Sequence, residues 1–282
     1  MPAGDRAATF PRPILSLALL AALSAPGASA SPPQEASTPL VATQEGDLPL
    51  ILSAPHGGSK EIPGVPPRKG EGIKKGPSGF VTARDGGIEE LAHEIAAAVL
   101  RRTGKKPYLV AASFHRRYLD CNRPASVAYE HDGAKAVYEE YHGALAKYCA
   151  AAVKKFGGGL VVDLHGQGSA RDKVFRGTQN GRTTALMQER FGKEFHAGPR
   201  SLLGMLKARG WAVHPEDEGQ EQSGFTGGYI VQTCGRREAG TDAIQFEFGA
   251  DFRGAERRKA TAETMAEALA EFVKLYTEGK RP

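Results

Sequence analysis

Short apolar runs alternate with amphipathic stretches along most of the chain. The apolar runs have strand length and predict strands over residues 48–54, 106–113, 159–166, 211–214 and 242–249. Between them, apolar side chains recur at helical spacing, for example at Ile88, Leu91 and Ile95, and the last 25 or so residues read as a closing helix. Strands separated by helices predict an α/β fold with a largely parallel sheet.

Polar segments follow three of the predicted strands. His56 lies in SAPHGG after the first strand, residues 115–123 follow the second, and His165 ends the third in VVDLHGQG. Because parallel sheets place ligand sites at the carboxyl ends of their strands, we expect these segments at one edge of the sheet. Two imidazoles and a carboxylate would form the three-ligand open site of a catalytic zinc, with a fourth position for water. Manganese, iron and cobalt accept the same ligands.

The carboxylate ligand is less well defined than the two histidines. Asp85 is favoured, because it projects near the apolar stripe of the helix that follows it, and Glu89 is the alternative third ligand. Asp85 also occupies the expected N-cap of that helix, where a carboxylate would accept main-chain N–H bonds for a purely structural reason.

A loop rich in arginine, SFHRRYLDCNRP, follows the second predicted strand. Arginine carries a planar fork that binds a carboxylate through two bonds. Asn122 with Arg123 could therefore hold a substrate carboxylate. Arg116 or Arg117 could polarise the scissile carbonyl as negative charge develops on it.

Glu247 is the candidate general base. In DAIQFEFG the residues Ile244, Phe246 and Phe248 form one face of a strand, and Glu247 shares the other face with Gln245. Partial burial raises the pKa of a carboxyl, and a nearby metal opposes that rise, so such a group can take up a proton near neutral pH.

The N-terminus carries the pattern of an export signal. Arg6 and Arg12 precede an apolar run that ends in small residues, which predicts a signal peptide over residues 1–30. Residues 31–46 are rich in Pro, Ser and Thr and predict a flexible lead, so a single catalytic domain is expected over residues 47–282. We therefore expect a periplasmic or secreted protein without stable membrane association once the signal is cleaved.

Charge and cysteine content narrow the class of partner. The chain has a formal net charge of +5, 24% charged residues and no long run of like charges, so no nucleic-acid partner is expected. Its three cysteines form no Cys-x-x-Cys pair. One disulfide is possible in an exported chain, but the sequence does not choose which two would meet.

Seven segments in this order resemble the N-formylglutamate amidohydrolase family, which is related to the zinc carboxypeptidases and aspartoacylase-like deacylases. They are SAPHGG, RDGGIEEL, HRRYLDCNRP, YEEYHGAL, VVDLHGQG, FTGGYIVQTCG and IQFEFG. The resemblance runs from about Leu48 to Arg253. It implies a three-layer α/β hydrolase fold with a mostly parallel mixed sheet flanked by helices, phosphorylase/hydrolase-like and similar to the zinc carboxypeptidases.

The resemblance also implies the parts of the site. His56 and His165 are implied as zinc ligands, Asn122 and Arg123 as the carboxylate clamp, and Glu247 as the base. His142, in a predicted helix, matches the family pattern and is assigned to the substrate-binding region, behind the ligands and not among them.

The expected function is that of an exported metal-dependent amidohydrolase. It would cleave an amide bond of a small carboxylate-bearing N-acyl amino acid through a metal-activated water. Formylglutamate hydrolysis in histidine breakdown is a cytoplasmic task, so the export signal leaves the substrate open. The alternatives are a zinc carboxypeptidase or peptidoglycan-peptide amidase on the same scaffold, and a non-catalytic secreted anion-binding module.

Overall fold

The structure, a computed structural model, describes residues 39–71 and 79–278. The signal peptide predicted over residues 1–30 lies outside the described residues. Seven strands within the described ranges form one mixed sheet. They are β1 (Val41–Gln44), β2 (Leu50–Ala54), β3 (Tyr108–Ala112), β4 (Leu160–Gly166), β5 (Lys173–Gly177), β6 (Ala212–His214) and β7 (Asp242–Phe248).

The sheet has the strand order β1-β3-β2-β4-β7-β5-β6. Its centre is parallel, since β2 pairs in parallel with both β3 and β4, and β4 pairs in parallel with β7. β1 is antiparallel to β3, β5 is antiparallel to β7, and β6 is parallel to β5. The predicted mostly parallel mixed sheet is therefore confirmed, and the carboxyl ends of β3, β2, β4 and β7 lie at the same edge.

Helices cover both faces of this sheet. They are α1 (Ile88–Thr103), α2 (Ala125–Ala128), α3 (Lys135–Phe156), α4 (Ala185–Phe191), α5 (Leu202–Ala208), α6 (Tyr229–Cys234), α7 (Ala250–Arg253) and α8 (Ala255–Glu278). Apolar side chains of α1, α5 and α8 share one buried cluster, and those of α3 and α6 share the other. None of the helices in the described ranges is long and apolar enough to cross a membrane.

Side chains of the central strands point alternately to the two faces of the sheet. In β2, Leu50 and Leu52 belong to the α1 and α8 cluster, and Ile51 belongs to the α3 cluster. On the α3 face the side chains become polar toward the carboxyl ends of the strands. These buried polar residues are Ser53, Asp163, His165, Gln245 and Glu247. The candidate site therefore lies where the α3 face of the sheet loses its apolar lining.

The flexible lead predicted over residues 31–46 is wrong in its described part. Val41–Gln44 forms an edge strand on β3, and Val41 is buried. The sequence VATQ is too short and polar to predict a strand by pattern, and its pairing depends on β3, about 70 residues away. The domain that the structure describes thus begins before residue 47.

Candidate metal centre

His56, Asp85 and His165 come from three separate segments and meet in one buried group. His56 lies two residues beyond β2, His165 lies in β4, and Asp85 precedes α1. The main-chain N–H of Asp85 donates to the carbonyl of His56 at 2.9 Å, which joins two of the segments. A Cβ on Gly57 would stand 2.1 Å from the main-chain N of Glu89. The glycine after His56 therefore leaves space for the start of α1.

The three candidate ligand atoms form a nearly equilateral triangle. His56 Nδ1 lies 3.1 Å from His165 Nδ1, and Asp85 Oδ2 lies 3.6 Å and 3.4 Å from those two atoms. Ligands at about 2.0–2.1 Å in tetrahedral zinc coordination are separated by about 3.3 Å. The residues present therefore fit a single small divalent ion.

The hydrogen bonds of the two imidazoles leave their Nδ1 atoms as acceptors. His56 Nε2 donates to Asp120 Oδ1 at 2.7 Å, and His165 Nε2 donates to Asp163 Oδ2 at 2.8 Å. Carboxylates placed in this way fix the tautomer of metal-binding histidines. With both protons on Nε2, two nitrogen lone pairs and a carboxylate oxygen converge, an arrangement that a cation stabilises.

The pKa directions agree with a site that favours positive charge. Burial lowers the pKa of His165, but the charge of Asp163 and the interactions with Asp163 and Asp85 outweigh that effect, and the pKa is raised well above its ordinary value. Burial raises the pKa of Asp85, yet its interactions with His165 and then with His56 override that effect, and the pKa is lowered. Asp85 Oδ2 also accepts the main-chain N–H of Gly166 at 3.0 Å.

Asp85, and not Glu89, completes the group. The Ser113 hydroxyl donates to Glu89 Oε1 at 2.5 Å, so Glu89 faces the end of β3. The capping role weighed for Asp85 is wrong, because α1 begins at Ile88 with Gly87 at its N-cap and no side-chain cap bond. Gly87 has φ of 86°, a left-handed conformation that suits glycine, and it separates Asp85 from the helix.

Asp120 is a buried carboxylate that the sequence interpretation did not single out. Its Oδ1 binds His56, and its Oδ2 accepts two bonds from Arg116, from Nε at 3.0 Å and from Nη2 at 2.8 Å. Arg116 is only 8% exposed. The prediction that Arg116 polarises a carbonyl is therefore not supported, since its guanidinium is used to hold Asp120 behind His56.

Asn122 also faces the protein and not the solvent. Its Oδ1 accepts the main-chain N–H of Ile230 at 2.9 Å, and its Nδ2 lies 3.4 Å from Gln245 Oε1 and 3.3 Å from His165 Nε2. A buried amide is satisfied by such partners. The predicted clamp of Asn122 with Arg123 is corrected accordingly: Asn122 is a structural neighbour of His165, and its amide is already engaged.

Other predicted residues belong to the loop after β3 and to α3. Arg123 is half-buried and donates from Nη1 to the carbonyl of Asn122 at 2.9 Å. Arg117 is exposed, and its Nη2 lies 3.3 Å from His115 Nε2. His142 donates from Nε2 to the carbonyl of Cys121 at 3.0 Å, and burial lowers its pKa. His142 thus holds the main chain between Asp120 and Asn122, and its assignment to the substrate-binding region stays a prediction.

Glu247 lies beside His165, with which it is paired in register across β4 and β7. It is 6% exposed, and Gln245 Nε2 donates to its Oε1 at 2.7 Å. Burial raises the pKa of Glu247 to about 7, against the charge of His165, which lowers it. The predicted face shared by Gln245 and Glu247 is confirmed by this bond.

Two solved structures share the fold. One is an N-formylglutamate amidohydrolase from Ralstonia eutropha JMP134, at 16% identity and a TM-score of 0.55 over 84% of this chain and 98% of that chain. The other is a gene product of Agrobacterium tumefaciens, at 16% identity and a TM-score of 0.53 over 86% and 96%. The resemblance drawn from the sequence segments is thereby confirmed at the level of the fold. No model of a known protein family and no curated protein sequence matches the chain.

Proposed function

We propose that the chain is an exported, metal-dependent amidohydrolase that cleaves an amide bond of a small N-acyl amino acid bearing a carboxylate. One observation carries the proposal: three acceptor atoms, of His56, Asp85 and His165, converge at the spacing of tetrahedral metal ligands, and the buried carboxyl of Glu247 lies in the adjacent strand. The likeness to a solved amidohydrolase fold supports the reaction class.

His56, His165 and Asp85 would hold the ion, and zinc is the proposed metal, because two imidazoles and a carboxylate with an open fourth position suit it. A divalent cation in that position supplies a Lewis acid for a substrate carbonyl and lowers the pKa of a water. Asp120 and Asp163 accept the Nε2 protons and orient the two rings, so that both Nδ1 atoms would face the ion.

Glu247 moves the proton in this proposal. Its Oε1 is held by Gln245, so Oε2 is the oxygen that accepts the proton of the attacking water and returns it to the leaving amine. A pKa raised to about 7 by burial lets the carboxyl perform both steps near neutral pH. Turnover is expected to rise as the pH passes upward through the pKa of Glu247.

Two arginines of the loop after β3 favour an anionic substrate. Neither Arg117 nor Arg123 forms an ion pair with a carboxylate in the described part of the chain. Burial and then the charges of Arg117 and Arg84 lower the pKa of His115, which marks a region of positive potential. A substrate carboxylate would bind the planar fork of Arg123 or Arg117, and Arg117 is the candidate for the carbonyl.

Metal analysis with a substrate panel tests the proposal. The purified protein should contain about one divalent ion and should hydrolyse one of a set of formyl, acetyl and peptide derivatives of amino acids. Glu247→Gln should lower turnover by about 10²–10⁴-fold and keep the metal. Asp85→Asn should lose the metal, whereas the matched control Glu89→Gln should keep both metal and turnover. A wild type without divalent metal, or a fully active Glu247→Gln, refutes the proposal, and cleavage confined to peptides would make the protein a carboxypeptidase or peptide amidase.

A further inference from the structure

Arg253, the last residue of α7, binds three main-chain carbonyls from three separate segments. Its Nη1 donates to Gly86 O at 2.6 Å, its Nε to Phe248 O at 3.2 Å, and its Nη2 to Gln167 O at 3.4 Å. In the described part of the chain the guanidinium has no carboxylate partner. All of its described hydrogen bonds therefore go to the backbone.

Each of these carbonyls stands next to a residue of the candidate site. Gly86 follows Asp85, Phe248 follows Glu247, and Gln167 lies two residues beyond His165. We infer that Arg253 is a positioning residue, whose guanidinium holds the segments of Asp85, His165 and Glu247 in the register that metal binding and proton transfer require. The inference rests on the proposed function, because it assigns these three residues their roles.

The backbone around Arg253 is shaped to admit it. A Cβ on Gly166 would stand 2.8 Å from Arg253 Nε, and a Cβ on Gly87 would stand 2.3 Å from the Arg253 carbonyl oxygen. Gly166, next to His165, and Gly87, two residues after Asp85, therefore leave space for Arg253. Hydrogen bonds from a charged donor are about twice as strong as neutral ones, and a planar fork fixes directions that a lysine does not.

Two further bonds carry the effect of the clamp to the ligand atoms. The Gly166 N–H donates to Asp85 Oδ2 at 3.0 Å, and the Gln167 N–H donates to Phe248 O at 3.0 Å. Phe248 O thus accepts from both Gln167 and Arg253. A displacement of the guanidinium would loosen these contacts and spread the ligand triangle.

Loss of the positive charge of Arg253 and loss of its positioning role would change metal affinity in opposite directions, which makes the inference testable. Removing a positive charge near a cation site should strengthen cation binding. Removing a positioning group should weaken it, by about 10–100-fold for groups behind metal ligands. Arg253→Met removes both, so the sign of the change shows which effect dominates, and Arg253→Lys keeps the charge while losing the fork.

The experiment measures zinc affinity by competition with a chromophoric chelator in wild type, Arg253→Met and Arg253→Lys. Gly166→Ala, which pushes the guanidinium aside without removing it, is a second route if Arg253→Met folds poorly by circular dichroism. Arg171→Met is the matched control, because Arg171 binds Asp251 in α7 and none of the three carbonyls. We expect a 10–100-fold loss in the Arg253 and Gly166 variants and no change in the control.

Amide hydrogen exchange of the metal-free proteins provides a readout that needs no metal. Arg253→Met should accelerate exchange at Gly166 and Gln167 relative to wild type and Arg171→Met. Unchanged exchange overturns the inference whatever the metal affinity, and so does faster exchange with wild-type or tighter zinc binding. A wild type that binds no zinc refutes the proposed function instead, and exchange alone then decides whether Arg253 holds the three segments.

Discussion

Replacing Asp120 by Asn would test the support behind His56. Asp120 Oδ1 accepts from His56 Nε2 at 2.7 Å and from the main-chain N–H of Asn122 at 3.0 Å, and Oδ2 accepts two bonds from Arg116. Asn can keep its carbonyl oxygen toward His56, but it then directs an NH2 group at the guanidinium. Two donors face each other in a buried place, and Arg116, 8% exposed, loses its counter-charge.

The expected loss of stability is larger than the expected loss of metal affinity. Removing one partner of a buried ion pair costs about 3–5 kcal/mol. Weakening a carboxylate behind a histidine ligand costs about 10–100-fold in metal affinity, which is about 1.4–2.7 kcal/mol. His56 and Arg116, acting against burial, lower the pKa of Asp120 well below its ordinary value. Its contribution is therefore complete above the unfolded pKa of about 3.9 and is lost as the pH falls toward the folded value.

Urea unfolding of the metal-free protein at pH 7 measures the effect, with Asp163→Asn as the matched comparison. Asp163 is also fully buried and binds a candidate ligand, His165, through Oδ2 at 2.8 Å. Its Oδ1 has no partner in the described residues, so an amide there displaces no guanidinium. We expect Asp163→Asn to lose less than about half the stability that Asp120→Asn loses.

A double variant separates the ion pair from other effects of the substitution. Arg116→Met combined with Asp120→Asn removes both charges, and it should recover much of the stability that Asp120→Asn alone loses. Equal losses in Asp120→Asn and Asp163→Asn, or a double variant less stable than Asp120→Asn, would refute the reasoning that an uncompensated Arg116 dominates.

Two further predictions concern regions away from the ligand triangle. Burial raises the pKa of Asp242 to about 7, so this carboxyl alone should contribute a loss of up to roughly 4 kcal/mol of stability between pH 4 and pH 7. Asp242→Asn should therefore make the loss of stability over that range smaller in urea titrations of the metal-free protein, and a slope equal to that of the wild type contradicts this. The thiols of Cys149 and Cys234 are hydrogen-bond partners, so oxidation by a small disulfide should join these two cysteines. Peptide mapping by mass spectrometry identifies the bridge, and a bridge to Cys121 contradicts the prediction.

The sequence predicted those parts of the site that lie on strands. His165 ends an apolar run, which predicted its position at the edge of the sheet, and Glu247 alternates with phenylalanines, which predicted the strand face that it shares with Gln245. His56 was predicted by the same rule, because it follows β2, the strand next to β4. Asp85 was chosen from an expected position on α1, yet it lies before the helix. Asp85 was therefore the right choice of carboxylate, although the helical geometry used to choose it does not apply to a residue outside the helix.

Contacts between loops could not be predicted in the same way. Asp120 binds His56, which is 64 residues distant, and a loop of three arginines gives no sign of which guanidinium is already engaged. The i, i+4 spacing of Arg116 and Asp120 was a signal, but it predicts a contact only on a helix. Arg253 is still harder to find, because its partners are main-chain carbonyls, which have no signature in the side-chain pattern.

The charges bonded around the two imidazoles explain why a divalent ion suits this site. Asp85, Asp120 and Asp163 bring three carboxylates, and Arg116 is the guanidinium bonded to one of them. Three carboxylates and one guanidinium leave a net charge of two negative units in the buried site, where an unpaired charge is costly. Without metal, a proton on His165 offsets one of them, in agreement with its raised pKa. A divalent ion offsets both and must displace that proton, so metal affinity and pH are linked by the same four charged side chains.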